Sequence, residues 1–249
     1  MGDSHLRISP SGTSSGKWID EDGLSFEINE PDAYALEEAL QLREKHTGEV
    51  VVLCAGPERA GQTIREALAK GADRAIHVEI DDLHTLDTLA VAKLLSAAAK
   101  TENPDLILTG LQSDDLGSGQ TGVVMAELLG VPHSTIIMHV EVKDASVRVK
   151  RELENGWFQH IEMPLPAVLT IQSGLNKLRY ATLMGIKKSK NKEVKKLSPA
   201  DLGGMPAAVV STDKIYPPQK SKQSQIFEGD AKTVAAQLVE KLKFEARIF

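Results

Sequence analysis

Between residues 49 and 171 of this 249-residue chain, short apolar runs of strand length alternate with helix-period segments, and nothing else in the sequence limits the fold as tightly. Residues 33–45 set Tyr34, Leu36, Ala39, Leu40 and Leu42 on one helical stripe, with Asp32 behind Pro31 as the expected N-cap. A β-rich run follows at 49–54, then the breaker Gly56-Pro57, a helical run at 59–70 closed by Gly71, and a strand at 74–79. Residues 85–100 have helical spacing, 105–109 form a strand after Pro104, and 119–129 form a helix closed by Gly130. Strands alternating with helices of this length build βαβ units around a parallel sheet. The expected body is a doubly wound, mostly parallel α/β domain.

After Pro132 the period changes. Residues 134–142, 146–153 and 157–163 are strand-like, with Asp144-Ala145 and Asn155-Gly156 where hairpin turns belong. Residues 167–171 return to the central sheet. Beyond Arg179 the period is lost: 187–196 holds six lysines and one glutamate, 203–225 is rich in Gly, Pro, Ser and Lys, and only 231–243 recovers helical spacing. Residues from Lys187 on carry 13 basic and 7 acidic side chains, against 16 basic and 28 acidic before it. The expected division is therefore an acidic α/β body at 1–186 and a basic C-terminal arm at 187–249 that docks on another surface. With so acidic a body, a protein partner suits the lysine run better than lipid or nucleic acid. One element is missing. A doubly wound domain opens on a buried strand, yet residues 1–17 offer only Leu6 and Ile8, so either the sheet lacks that strand or the chain begins downstream of the usual start.

Charge and composition narrow the function. A net charge of −6 and 4% aromatic residues argue against a nucleic-acid binder, which is basic or carries stacking platforms. The one cysteine, Cys54, forms no internal disulfide and is expected to be buried and inert. No signal peptide and no run of about 20 apolar residues is present, so the expectation is a soluble protein of the cytoplasm, or of the mitochondrial matrix in a eukaryote. The seven histidines are scattered with no helical pair to hold metal, and neither a Walker loop nor a nucleophile elbow occurs.

The informative segment is 109–122, where a strand passes into a helix, the place where open α/β sheets bind ligands. Gly117-Ser118-Gly119-Gln120-Thr121-Gly122 matches the dinucleotide fingerprint letter by letter, but seven residues separate it from the strand that should directly precede its first glycine, so position favours a chance match or a related phosphate loop over the true fingerprint. A related phosphate loop remains open, with amides of residues 117–121 at a helix N-terminus and without any lysine. So does an ordinary capped loop, in which Asp114 or Asp115 ends a turn.

Several colinear segments resemble the beta subunits of electron transfer flavoproteins. They are Ile28-Asn29 before Ala35-Leu36-Glu37-Glu38-Ala39, Ala55-Gly56-Pro57 with Thr63-Ile64-Arg65, and Gly71-Ala72-Asp73-Arg74. Gly110 through Gln120-Thr121-Gly122, Arg151-Glu152 with Gly156, and Leu165-Pro166-Ala167-Val168 continue the match, and Arg179-Tyr180-Ala181-Thr182-Leu183 followed by lysines is its most specific part. The resemblance implies an adenine-nucleotide hydrolase-like domain that is not itself an enzyme. It implies a heterodimer with an alpha subunit carrying most of an FAD site, and a buried AMP, or a second FAD in electron-bifurcating members. By position, the nucleotide would contact Asn29, Ala55, Gly56, Gln112, Ser113, Asp114, Asp115, Gly117, Ser118, Gly119, Gln120, Thr121 and Gly122. Arg179, Tyr180 and Leu183 would dock on partners, and the arm after Lys187 would wrap onto the alpha subunit. Electrons would pass from flavin dehydrogenases, such as those acting on acyl-CoA, to a quinone oxidoreductase.

Three departures from the family pattern stand out. The opening strand is absent, with residues 3–8 aligning just after it. Glu30 replaces the proline usual after the Asn29 position, with Pro31 one place later. The loop Asp114-Asp115-Leu116-Gly117-Ser118-Gly119 is less acidic than the AMP pattern, which leaves AMP and a second FAD both open. From a different class, a lone adenine-nucleotide sensor would need only residues 110–122, but has no use for the 179–196 segment and the arm.

Overall fold

The structure, a computed structural model, describes residues 18–19, 21, 23–216 and 224–248. The expectations placed on Asp3, Leu6 and Ile8, and on 217–223 of the Gly/Pro/Ser-rich stretch, lie outside them. Two compact units emerge, Asp20–Lys214 and Ile215–Phe249 with Met1–Ile19.

The larger unit is mixed α/β. Helix α1 (Glu30–His46) precedes β1 (Val51–Gly56), α2 (Ala60–Lys70), β2 (Arg74–Glu79), α3 (Thr88–Glu102), β3 (Leu106–Gly110) and α4 (Thr121–Leu129). Strands β4 (His133–Lys143), β5 (Ser146–Glu152), β6 (Phe158–Pro164) and β7 (Ala167–Ile171) follow, then α5 (Leu183–Ser189) and β8 (Val194–Leu197). Instead of the single sheet expected, the strands form two: β1-β2-β8, all parallel, and β3-β7-β4-β5-β6. In the second, β3, β7 and β4 are parallel and β4-β5-β6 antiparallel, with β4 pairing β7 through Ile137 before a register shift sends it into the hairpin. The Asn155-Gly156 turn is where the sequence put it, both residues at positive φ (57° and 76°).

Alternation along the strands puts helices on both faces. Val52 and Cys54 of β1 pack with α1 and α2 through Leu40, Ile64 and Leu68, whereas Leu53 and Ala55 pack with Leu94 and Ala98 of α3. In β3, Leu106 and Leu108 join the cluster of Ala35 and Leu42 from α1, while Ile107 faces Met125 of α4 and Ala92 of α3. Helix α1 thus touches both sheets, with Leu40 on one and Leu42 on the other. Strand β7, paired on both sides, is buried at all five positions, while β3 is half-buried at all five. Among the described residues, no strand pairs with the second edge of β1 or of β3.

Four sequence expectations change. Helix α1 starts three residues earlier than expected, at Glu30, and its N-cap is Asn29, because Pro31 in the first turn suits the helix start and Asp32 turns its carboxylate to another chain segment. Helix α3 starts at Thr88 behind Asp87, whose carboxylate accepts from Ala90 N–H at 2.8 Å, and residues Leu83–Thr85 form a separate 3₁₀ turn. Helix α4 starts at Thr121, two residues late, because Gly117 and Gly119 sit at φ +62° and +61°. The lysine-rich stretch is not an arm where it begins. It contains α5 and β8, β8 pairs in parallel with β2, and the compact unit runs to Lys214 rather than residue 186.

In the other unit, α6 (Ala231–Phe244) is capped by Asp230, which accepts from the N–H groups of Lys232 and Thr233. None of its residues is buried, and Leu238, Val239 and Phe244 are exposed.

Candidate functional site

The loop from Gly110 to Thr121 is shaped by the first turn of α1, 78 residues upstream in the case of Asp32. The Asp32 carboxylate accepts from Gly110 N–H at 2.7 Å and from Asn29 Nδ2 at 2.8 Å. Asn29 then spans the loop, its Nδ2 donating to the Gln112 carbonyl at 3.0 Å and its Oδ1 accepting from Asp114 N–H at 3.1 Å. Gly110 has to be glycine, since a Cβ there would lie 2.8 Å from the Asp32 backbone nitrogen. Within the loop, Ser113 accepts Leu116 N–H on its hydroxyl at 3.1 Å and Gly117 N–H on its carbonyl at 2.8 Å. Asp114, Asp115, Gly117, Ser118 and Gln120 are exposed.

With those bonds made, the N–H groups of Gly119, Gln120, Thr121 and Gly122 meet no protein acceptor among the described residues, and Gln120 makes no side-chain cap. Unpartnered amides at a helix start with positive-φ glycines form an anion cradle. Gly122 seats α4 against the sheet, since a Cβ would lie 2.5 Å from Thr109 Oγ1 and 2.7 Å from Thr170 Cγ2.

Ala55 and Gly56 close β1, and among the described residues no hydrogen bond joins them to the loop. The Gly56 carbonyl is occupied by the ring nitrogen of buried His77 at 2.9 Å and by Ile80 N–H at 3.0 Å. Asp32 relates the two strand ends: it binds Gly110 at the end of β3, and its charge reaches Cys54 on β1. Burial first, then that charge, push the Cys54 thiol up to about 11, so it is inert at neutral pH. A further contact comes from Asp87, which besides capping α3 accepts Val209 and Val210 N–H at 2.7 and 2.9 Å. The Ala90 N–H first, then those of Val210 and Val209, hold its carboxyl below the usual range. Thr88 of the same turn meets Ser118 at 3.4 Å.

A second surface lies between β7 and α5. Tyr180 and Leu183 are 93% and 88% exposed, and Met184 and Ile186 extend the apolar face. Arg179, expected to dock outward, turns inward. Its Nε and Nη2 donate to the two Glu37 oxygens at 2.7 and 3.0 Å, its main-chain N–H to Glu37 at 3.3 Å, and its Nη1 to Glu44 at 2.7 Å. Burial pushes the Glu37 carboxyl up, but the Arg179 hydrogen bonds and charge, with Gln41, more than reverse this and hold it below the usual carboxylate value. Behind α5, Gly185 presses so close to the Ala69 carbonyl that a Cβ would collide with it. Of the lysine run, Lys192 donates to the Leu68 and Ala72 carbonyls at the end of α2 and Lys196 pairs with Glu79, so both are committed within the domain.

Comparison with known proteins fits this arrangement. The "Electron transfer flavoprotein domain" family matches residues 17–202. A protein named electron transfer flavoprotein subunit beta from Bradyrhizobium diazoefficiens is 38% identical over 248 residues, covering 99% of this chain and 95% of its own. That of Methylophilus methylotrophus is 37% identical over 235 residues (90% and 89%), and that of Homo sapiens 35% identical over 247 (98% and 92%). The chain belongs to the electron transfer flavoprotein family, among its beta subunits.

For a member of this family, the structure brings Asn29 together with the 110–122 loop and sets Tyr180 and Leu183 on a separate face. Sequence reasoning missed Asp32 as a loop anchor, Glu37 as the partner of Arg179, and Asp87 as the tie to residues 209 and 210. Nothing in local spacing relates residues 32 and 110. A concavity of about 400 Å³ lined by Lys143, Asp144 and Met163 lies at the β4–β5 turn, away from both surfaces, and its open, mixed lining gives no convergent chemistry. Among the described residues, no group of three or more His, Cys, Asp or Glu could hold a metal ion, and no helix is long and apolar enough to cross a membrane.

Proposed function

We propose that this beta subunit pairs with an alpha subunit that contributes most of an FAD site. On this reading it holds an adenine nucleotide, AMP or a second FAD, in the 110–122 loop of an adenine-nucleotide hydrolase-like domain. The observation that carries the nucleotide assignment is the row of unpartnered N–H groups from Gly119 to Gly122, which fits a phosphate. Asn29 and Asp32 act on the nucleotide by shaping that loop, since their polar atoms are already engaged by its backbone. Asp114 and Asp115 flank the cradle and favour contact with ribose or base over phosphate.

The bound flavin supplies the redox chemistry, while the chain supplies binding, orientation and exclusion of water. Flavin dehydrogenases, among them those acting on acyl-CoA, dock on the face of Tyr180 and Leu183, and a quinone oxidoreductase takes the electrons onward. The exposed apolar residues of α6 suit burial against the alpha subunit, an arm that a solitary nucleotide sensor would not need. The expected location is the cytoplasm, or the mitochondrial matrix in a eukaryote.

Co-expression with an alpha-type subunit tests this reading. The expected product is a yellow heterodimer whose flavin is reduced by an acyl-CoA dehydrogenase with its substrate. A colourless chain that stays monomeric in the presence of the alpha subunit would overturn it.

A further inference from the structure

We propose that Glu37 is the positioning residue of the docking segment, a role that rests on the reading of Tyr180 and Leu183 as a docking face. Residues 172–182 run between β7 and α5 without helix or strand, so side chains must satisfy and fix their backbone. Helix α1 supplies the fixing. Asn176 Nδ2 donates to the Tyr34 carbonyl at 3.2 Å and to Glu38 at 3.1 Å. Three residues on, Glu37 takes three hydrogen bonds from Arg179 alone, one of them from its main chain.

Glu37 is only 4% exposed, and Gln41 also donates to it, at 2.8 Å. Burying a carboxylate on the helix face that also buries Ala35, Glu38, Leu40 and Leu42 gains little stability over an apolar residue. What the ion pair does supply is a defined geometry. Gripping Arg179 by both its backbone and its fork fixes the chain direction one residue before Tyr180. Thr182, capping α5 by accepting Gly185 N–H at 3.0 Å, and Gly185 against Ala69 fix the other end. The segment from Tyr180 to Leu183 is therefore held at both ends with its apolar side chains out, and docking need not order it.

The test compares the heterodimer with its Glu37→Gln, Glu44→Gln and Leu183→Ala forms, using a substrate-reduced acyl-CoA dehydrogenase as electron donor. Glu37→Gln is expected to raise KM for the dehydrogenase about three- to tenfold, with the effect falling on KM rather than kcat. Hydrogen exchange should rise in residues 176–184, while flavin and nucleotide contents hold. In a Leu183→Ala background the same substitution should add nothing, because Glu37 acts through the segment that carries Leu183. Should Glu37→Gln fail to assemble, Glu44→Gln removes only the outer, exposed limb of the grip and should shift KM in the same direction by less. A raised KM in Leu183→Ala with none in Glu37→Gln or Glu44→Gln overturns the role of Glu37 and leaves the docking reading standing. No change in any variant overturns both.

Discussion

Two irregular segments, 110–121 after β3 and 172–182 after β7, are held by the same helix in opposite ways. At its N-terminus, α1 grips the first with a neutral amide and one carboxylate aimed at backbone, and among the described residues the amides of Gly119 to Gly122 have no protein partner. Along its middle, α1 grips the second with a charged pair, Glu37 to Arg179, which leaves Tyr180 and Leu183 in solvent. What the anchor consumes decides what remains for a ligand: free polar donors in one case, free apolar surface in the other. On the reading proposed above, the first segment suits an anion and the second a protein surface.

The comparison breaks most severely where α4 meets the sheet. Gly122→Val drives methyl groups into Thr109 and Thr170, and should cost about 2 to 3 kcal/mol of stability in urea denaturation, with loss of bound nucleotide. Next in size, Glu37→Ala leaves a partly buried guanidinium short of its partner and should cost about 1 to 2 kcal/mol, without loss of nucleotide. The pH dependence follows from the lowered Glu37 pKa. Its contribution should stay constant from neutral pH down toward the ordinary carboxylate value of 4.5, then disappear as pH falls through the lower folded value. The stability gap between the native chain and Glu37→Gln, followed by denaturation across that range, should close in acid and not in base.

Smaller and opposite in location, Asp32→Asn should weaken nucleotide retention about fivefold, with KM for a dehydrogenase unchanged. The smallest effect is at Cys54. With its thiol pushed up to about 11 by burial and by Asp32, it should react with thiol reagents far more slowly than a free cysteine at pH 8, and Asp32→Asn should speed it only modestly, because burial is the larger cause.

Much of the scaffold was legible in the chain. Arg74–Glu79 is the strand its apolar run predicts, and the helix predicted at 231–243 is observed as Ala231–Phe244. These elements follow local period and caps, which sequence carries. Strand β8 was hidden because Val194-Lys195-Lys196-Leu197 is only four residues long and half lysine, and becomes a strand only through pairing with β2. The start of α4 was misplaced because Gly117 and Gly119 adopt left-handed backbone that glycine permits but does not require. At the site, the 110–122 loop was visible from its glycines and its place after a strand. Asp32 and Glu37 were not, because their roles rest on contacts 78 and 142 residues away in sequence, and a carboxylate in a first turn or on a helix face has commoner uses.

Nucleotide extraction from the purified heterodimer, with the released compounds quantified against protein, tests the central claim most directly. The account predicts an adenine nucleotide in addition to the interface FAD, either AMP or a second FAD, stoichiometric with the beta subunit and lost in Gly122→Val. A heterodimer that carries its interface flavin and accepts electrons, yet releases no further adenine nucleotide, would contradict it.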